Sequence, residues 1–145
     1  MTDDVSYERI IAAAPEVVFD AFTSEGGQLA FYGTDDIGWI VRSQSEVRVG
    51  GSWTVDFGPS PEQLYRHHHL FKAVERPRRI VLSTTETRLD GTTLRFETEI
   101  TFEAADKGTL LTMVQRGLPT PELRAEHTRG VPHALDRLER HLNAR

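Results

Sequence analysis

The chain has 145 residues, a length that suits one domain, and we expect a single domain over residues 1–145. Hydrophobic residues make up 38% of the chain and charged residues 27%, which is typical of globular proteins and argues against long disordered regions. The net charge of -5 opposes binding to nucleic-acid phosphates, and the absence of cysteine excludes disulfides and thiolate chemistry.

We expect no export signal at the N-terminus. The segment Met1–Asp4 is acidic and has no apolar core, and no window of the chain approaches the roughly 20 apolar residues of a membrane span. We therefore expect a cytoplasmic protein without a membrane partner.

One strand and two short helices are predicted next. The segment Val5–Ala12 is rich in β-forming residues and ends before Pro15, which suits the first turn of a helix because its missing N–H would be unpaired there. Apolar residues then recur at helical spacing. Ser24 offers a cap for a second helical segment that contains Phe31 and Tyr32.

From Trp39 onward the apolar residues recur with the period of two that is typical of strands. The pair Gly50–Gly51 predicts a hairpin between the strands Glu46–Val49 and Trp53–Phe57, because paired glycines readily adopt the positive φ of tight turns. The exposed strand edge near the Pro59–Glu62 loop could pair with a second copy, so a homodimer is possible.

Four more strands complete the predicted sheet. Tyr65–Val74 and Ile80–Glu86 are separated by a proline turn, and Asp90–Gly91 is the strongest hairpin signal in the chain. In the segment Phe96–Phe102, apolar and charged residues alternate, so one face of that strand is solvated. The last strand contains Leu111–Gln115.

A long amphipathic helix from Thr120 to Leu142 ends the chain. Thr120 suits the N-cap, and Pro121 suits the first helical position. Gly130 and Pro132 predict a kink or a locally broken turn near its middle. One helix that covers a whole curved sheet indicates an α+β fold with a cavity between the two.

This order of elements, together with five short motifs, resembles the helix-grip fold of the START and birch-pollen-allergen superfamily, also called SRPBCC. Within it, the chain resembles the activator-of-heat-shock-protein-ATPase group. The motifs are Ala13–Thr23, Val49–Trp53, Val74–Ile80, Gly108–Met113 and Gly130–Leu138. The resemblance implies a curved antiparallel sheet of six to seven strands wrapped around the long C-terminal helix, with two short helices after the first strand.

The chain departs from the pattern of this group at three places. Phe31–Tyr32 stands where the group often has two large aromatic residues beginning with tryptophan, and Gln115 stands where a histidine often ends the last strand. Gly130–Val131 replaces a frequent Gly-Trp pair, and the smaller Val131 implies a roomier cavity.

The residues expected to line this cavity lie on the inward faces of the strands, on the second short helix or on the apolar stripe of the last helix. They are Phe31, Tyr32, Trp53, Val55, Phe57, His67, Leu82, Phe96, Met113, Gln115, His127 and Val131. Most are apolar, as in pockets that hold small apolar molecules. Gln115 would need a hydrogen-bond partner if buried, and a ligand or an ordered water could supply it.

Three residues are candidates for proton transfer, namely Glu86, Tyr65 and His127. If Glu86 faces the cavity, desolvation would raise its pKa and could make it a general acid or base. Its alternative is a solvated carboxylate near the Asp90–Gly91 turn, and the alternative for His127 is a structural residue of the core or the cavity rim.

We expect neither a metal nor a cofactor. Successive residues of a strand point to opposite faces, so the three histidines of the run His67–His69 cannot converge on one ion. At most His67 and His69 could do so, and no carboxylate or histidine on another strand has a spacing that demands a third ligand. The sequence also lacks a glycine-rich phosphate loop and a nucleophile elbow.

Three functions remain open from the sequence. The first is binding of a small apolar or aromatic molecule in the cavity. The second is an enzyme of the polyketide-cyclase or aromatase type, in which Glu86, Tyr65 or His127 moves a proton. The third, implied by the name of the group that the chain resembles, is an interaction module that regulates a chaperone ATPase.

Overall fold

The computed structural model describes residues 4–34 and 36–144. Most of the segment Met1–Asp4, which carried the argument against an export signal, lies outside the described residues. The elements in chain order are β1 Val5–Ile11, α1 Pro15–Thr23, α2 Glu25–Tyr32, β2 Ile40–Ser45, β3 Ser52–Ser60, β4 Gln63–Glu75, β5 Arg79–Thr87, β6 Thr93–Ala105, β7 Gly108–Arg116 and α3 Pro121–Asn143.

The strands form one antiparallel, open, curved sheet in the order β1-β7-β6-β5-β4-β3-β2. Side chains on one face of the sheet are buried against α1 and α3, because apolar residues of alternate positions point to the same side. This confirms the predicted α+β helix-grip fold with a curved antiparallel sheet and a long C-terminal helix.

The outermost strands are β1 and β2. Because β2 begins at Ile40 opposite Gly58, the residues Pro59 and Ser60 extend past the edge strand. Pairing of this edge with a second copy stays a prediction.

The first predicted hairpin is displaced along the chain. Its outer strand is β2, and the predicted strand Glu46–Val49 lies in the connection to β3, where Gly51 N–H donates to the Arg48 carbonyl at 2.8 Å. Gly50 adopts a φ of +85° in this connection. The glycine pair does mark a turn, but the connection between β2 and β3 spans residues 46–51 and is longer than the predicted one, which spanned residues 50–52.

The second hairpin confirms its prediction. Gly91 adopts a φ of +86°, and its N–H donates to the Arg88 carbonyl at 2.9 Å. The carboxylate of Asp90 accepts from the backbone N–H of Thr92 at 3.0 Å, which fixes the turn locally.

Helix α3 starts as predicted and continues through its proline. The hydroxyl of Thr120 accepts from the N–H of Leu123 at 3.2 Å. The helix is unbroken from Pro121 to Asn143, so the predicted broken turn near Pro132 is wrong, and the alternative of a kink there stays a prediction. Buried residues on both sides of the proline hold the helix on the core, and this packing outweighs one lost backbone hydrogen bond.

Two arginines tie α3 to other elements. Arg9 of β1 donates to Asp136 at 2.6 Å and to Glu139 at 3.0 Å. Arg137 donates from α3 to the carbonyl of Phe31 at 2.7 Å, at the C-terminal end of α2. In the part of the chain that the structure describes, no helix is long and apolar enough to cross a membrane.

Candidate functional site

A cavity of about 500 Å³ lies between the inner face of the sheet and the helices α2 and α3. This volume falls in the range of pockets that hold small organic molecules. Most of the residues singled out from the sequence border it. They are Phe31, Tyr32, Trp53, Phe57, Tyr65, His67, Leu82, Glu86, Phe96, Met113, Gln115, His127 and Val131.

Val55 is the exception among the predicted lining residues. Its side chain is fully buried in the core and does not border the cavity. The inward parity of β3 was read correctly from the sequence, but parity alone does not distinguish a core position from a cavity wall.

Further residues border the cavity without having been predicted to do so. They are Phe22, Thr34, Trp39, His69, Thr98, Ile100, Glu126, Gly130, His133, Ala134 and Arg137. Alternation along the strands places His69, Thr98 and Ile100 on the inward face of the sheet, so the sequence could have indicated them. Helical spacing likewise places Gly130 and Ala134 on the same side of α3 as His127. For Thr34 and Trp39, which follow α2, the sequence carries no such signal.

The mouth of the cavity is marked by lining residues that are also exposed. On α3 these are Glu126, Gly130 and His133. Opposite them lie the half-buried Thr34 and Trp39 of the segment after α2. A glycine on the helix leaves this mouth open, since a Cβ atom at Gly130 would meet no atom within 4 Å.

The carboxylate of Glu86 forms the charged part of the cavity wall. Glu86 is only 4% exposed, so the alternative prediction of a solvated carboxylate near the Asp90–Gly91 turn is wrong. Oε2 accepts from Arg88 at 2.6 Å, and Oε1 lies 2.6 Å from Nε2 of His67. Burial opposes ionisation, but the imidazoles of His127 and His67 outweigh it and hold the pKa of Glu86 well below its usual range. The expected rise in this pKa is therefore also wrong.

A row of polar side chains extends from Glu86 across the sheet. The hydroxyl of Tyr32 lies 2.8 Å from Nδ1 of His67 and 2.8 Å from Nε2 of His69. Nδ1 of His69 in turn lies 2.6 Å from the hydroxyl of Thr84. We call the five residues Thr84, His69, Tyr32, His67 and Glu86 the polar chain.

The directions of these hydrogen bonds follow from the ionised carboxylate at one end, because it can only accept. His67 donates from Nε2 to Glu86, and with a neutral imidazole its Nδ1 accepts from the Tyr32 hydroxyl. The Tyr32 oxygen then accepts from Nε2–H of His69, and Nδ1 of His69 accepts from the hydroxyl of Thr84. Each link of the polar chain is therefore matched, donor to acceptor.

Burial keeps the middle of the polar chain uncharged. Desolvation lowers the pKa of His69 well below its usual value, and protonation of the neighbouring His67 or His68 would lower it further. Desolvation and the nearby charge of Glu86 raise the pKa of Tyr32 well above that of a free phenol. Tyr32 and His69 therefore act as neutral hydrogen-bonding groups at physiological pH.

His127 and Gln115 form a second polar group beside Glu86. Nδ1 of His127 lies 2.9 Å from Oε1 of Gln115, and the imidazole packs edge-on against Phe96 with ring centroids 5.1 Å apart. Nε2 of His127 lies 3.8 Å from Oε1 of Glu86, too far for a hydrogen bond. The sequence placed both residues at the cavity but did not predict their contact.

Tyr65 lies apart from both polar groups. Its ring stacks on Phe57 with centroids 5.5 Å apart, and the guanidinium of Arg88 lies 5.8 Å from the ring centroid. Among residues 4–34 and 36–144, no group of three or more His, Cys, Asp or Glu side chains is arranged to hold a metal ion.

Solved structures of other proteins share this fold at low sequence identity. A protein of Chromobacterium violaceum is 22% identical with a TM-score of 0.80, and 94% of each chain is covered. One of Rhizobium leguminosarum is 16% identical with a TM-score of 0.84, covering 98% of this chain and 95% of that chain. The AHSA1-like protein of Aeromonas hydrophila is 20% identical with a TM-score of 0.73, and the match covers 97% of this chain and 92% of that chain. At these identities the likeness shows the fold alone.

The comparison with family models extends over nearly the whole chain. No curated protein matches the sequence. Residues 12–143 match the family model described as Activator of Hsp90 ATPase homolog 1-like protein, which belongs to the SRPBCC superfamily. The match spans all five motifs on which the resemblance was based, and the chain belongs to this family.

Proposed function

We propose that the protein binds a small apolar or aromatic molecule in the cavity between the sheet and α3. The observation that carries this proposal is a cavity of about 500 Å³ whose walls are mainly aromatic and aliphatic. Such walls remove apolar ligand surface from water, which is the main driving force for binding of this kind. The SRPBCC fold commonly holds hydrophobic ligands, which supports the proposal.

The aromatic ring of Tyr32 supports the same function. The Tyr32 hydroxyl is occupied by His67 and His69, so it offers the ligand mainly the flat surface of its ring. Tyr32 also contacts Trp53 and Phe57, with ring centroids 5.8 and 5.0 Å apart. Aromatic ligands suit such a surface because ring pairs gain energy from edge-on and tilted contacts.

The test is a thermal-shift screen with lipophilic and aromatic compounds, followed by calorimetry on the best of them. A ligand that binds only the folded protein raises the melting temperature by mass action. The variant Gly130→Trp should abolish the shift, because a side chain at this position occupies the mouth of the cavity. The control is Arg129→Trp, which adds the same side chain at an exposed position of α3 that does not border the cavity.

Saturable binding to the control and to wild type, but not to Gly130→Trp, supports the proposal. No shift across a broad panel, or equal binding to all three proteins, contradicts it. Mass spectrometry of the protein purified under native conditions adds an independent measurement, since a bound cellular ligand appears as a constant added mass.

Proton transfer is a second candidate function, favoured by the position of His127. Its Nε2 makes no hydrogen bond to a described residue, borders the cavity and lies 3.8 Å from the carboxylate of Glu86. In this function His127 accepts a proton from an acidic carbon of the ligand, and Glu86 stabilises the imidazolium that forms. Deuterium exchange into an aromatic 1,3-diketone should then be faster with wild type than with His127→Asn. Equal exchange rates would exclude this role.

A further inference from the structure

Hydrogen bonding in the cavity is uneven between its two polar groups. Each link of the polar chain is matched, as described above. At the neighbouring group, the amide nitrogen of Gln115 and Nε2 of His127 form no hydrogen bond with any described residue. The hydroxyl of Thr98 likewise has no hydrogen-bond partner within residues 4–34 and 36–144, and Thr98 lies directly opposite Gln115 in the register of β6 and β7.

These unpaired atoms lie at one end of the cavity. His127 contacts Gln115 and lies close to Glu86, and all three residues border the cavity together with Thr98. Gln115 and Thr98 are only 6% and 5% exposed. The polar atoms of these residues still reach the cavity, because among the described residues only the Tyr7 hydroxyl is a fully buried side-chain polar atom without a partner. A ligand that pairs with them takes the place of water and gains hydrogen bonds in surroundings of low dielectric constant.

The strands show where the apolar part of a ligand would lie. Met113 lies two residues from Gln115 on β7, and Ile100 lies two residues from Thr98 on β6. Both apolar side chains border the cavity. On β5, Leu82 pairs with Thr98 and lies four residues from Glu86 on the same face, so apolar side chains begin directly beside the polar group. The cavity therefore has a polar end and an apolar end.

We infer that the ligand of this cavity is an uncharged phenol or alcohol on an apolar body, with its hydroxyl group among Gln115, His127 and Glu86. This inference rests on the proposed function and narrows the class of ligand. A hydroxyl group both donates and accepts, so it can accept from the amide of Gln115 and donate to Oε1 of Glu86 or to Nε2 of His127.

Other polar groups match this end less well. A ketone can only accept, and it would leave the carboxylate of Glu86 without a new donor. A carboxylate would be repelled by the charge of Glu86 in a setting of low dielectric constant. An ammonium group adds little, because Arg88 and His67 already lie within hydrogen-bonding distance of the two oxygens of Glu86, at 2.6 Å each.

The test compares three compounds with one aromatic body, namely 2-methylnaphthalene, 2-naphthol and 2-naphthoate, at neutral pH. Calorimetry or fluorescence titration measures their dissociation constants for wild type. We expect 2-naphthol to bind at least tenfold more tightly than 2-methylnaphthalene, and 2-naphthoate to bind most weakly. This comparison on wild type does not depend on any variant being folded.

The variant Gln115→Leu should lower the preference for 2-naphthol and retain the affinity for 2-methylnaphthalene, because only the amide donor is lost. The matched control is Gln44→Leu, the same change at an exposed position of β2, which should behave as wild type.

The outcomes separate the inference from the proposed function. If 2-naphthol and 2-methylnaphthalene bind equally well, or if 2-naphthoate binds most tightly, the inferred hydroxyl site is wrong while the binding function stands. If none of the three binds at millimolar concentration, the result contradicts the proposed function and the inference with it.

Discussion

Nε2 of His67 lies 2.6 Å from Oε1 of Glu86, and both side chains are almost fully buried in the wall of the cavity. A carboxylate at this depth is stable only because neighbouring donors replace the water that it has lost. Arg88 supplies one donor and His67 another, so the charge is held in a fixed position beside the cavity.

The hydroxyl of Tyr32 joins two buried histidines, so the variant Tyr32→Phe leaves Nδ1 of His67 and Nε2 of His69 without their partner. We expect a loss of about 2 to 3 kcal/mol in the free energy of unfolding, measured by urea denaturation. The control Tyr65→Phe removes a hydroxyl that forms no hydrogen bond with a described residue, and it should cost less than about 0.5 kcal/mol. Equal losses in the two variants would show that the polar chain contributes no stability.

Ionisation of Glu86 makes the stability of the protein depend on pH. Because its pKa in the folded protein lies below the ordinary value of 4.5, the unfolded state binds more protons as the pH falls through 4.5. Glu86 therefore stabilises the fold above that pH, and the contribution is lost in more acidic solution. The variant Glu86→Gln should be less stable at pH 7 by about 1 to 3 kcal/mol.

Urea denaturation between pH 7 and pH 3 measures this contribution. The difference in free energy of unfolding between wild type and Glu86→Gln should shrink as the pH falls. A difference that stays constant over this range would contradict a lowered pKa for Glu86. The comparison of two proteins cancels the similar contributions of exposed carboxylates such as Asp90 and Asp136.

His69 should produce a separate loss of stability nearer to neutral pH. Burial lowers its pKa well below the ordinary value of 6.5, so the unfolded state takes up a proton that the folded state refuses. Stability should therefore fall as the pH decreases below 6.5, by up to about 1.4 kcal/mol per pH unit. The variant His69→Gln cannot take up this proton in either state, so its slope between pH 6.5 and pH 5 should be smaller than that of wild type. An unchanged slope would assign the effect to other groups.

Replacement of Gly130 by alanine should stabilise the protein. A Cβ atom there meets nothing within 4 Å, and alanine favours the helix over glycine by about 1 kcal/mol. The control Gly27→Ala carries the same gain in helix propensity, but its Cβ atom would clash with the carbonyl oxygen of Ala21. Thermal denaturation should therefore show a higher melting temperature for Gly130→Ala and a much lower one for Gly27→Ala. A lower melting temperature for Gly130→Ala would contradict the open mouth of the cavity.

Local rules identified the parts of the fold that depend on short stretches of chain. The Asp90–Gly91 turn forms as predicted because its geometry needs only a positive φ at Gly91 and a side-chain acceptor at Asp90. The connection that contains Gly50 was predicted too short. The N–H of Gly50 donates to the carbonyl of Phe71, and local rules cannot anticipate a contact with a residue so distant in sequence. Similarly, buried contacts on both sides keep α3 intact through Pro132.

The amino-acid sequence by itself determined the α+β class, the inward faces of the strands and most of the cavity lining. It did so because alternation within a strand and spacing within a helix are local properties. Only the tertiary structure decided the state of Glu86, since that depends on Arg88, His67 and His127 arriving from a loop, a neighbouring strand and a helix. Alternation predicted that Glu86 could face inward, but the charge of a buried carboxylate is set by neighbours that only folding brings together.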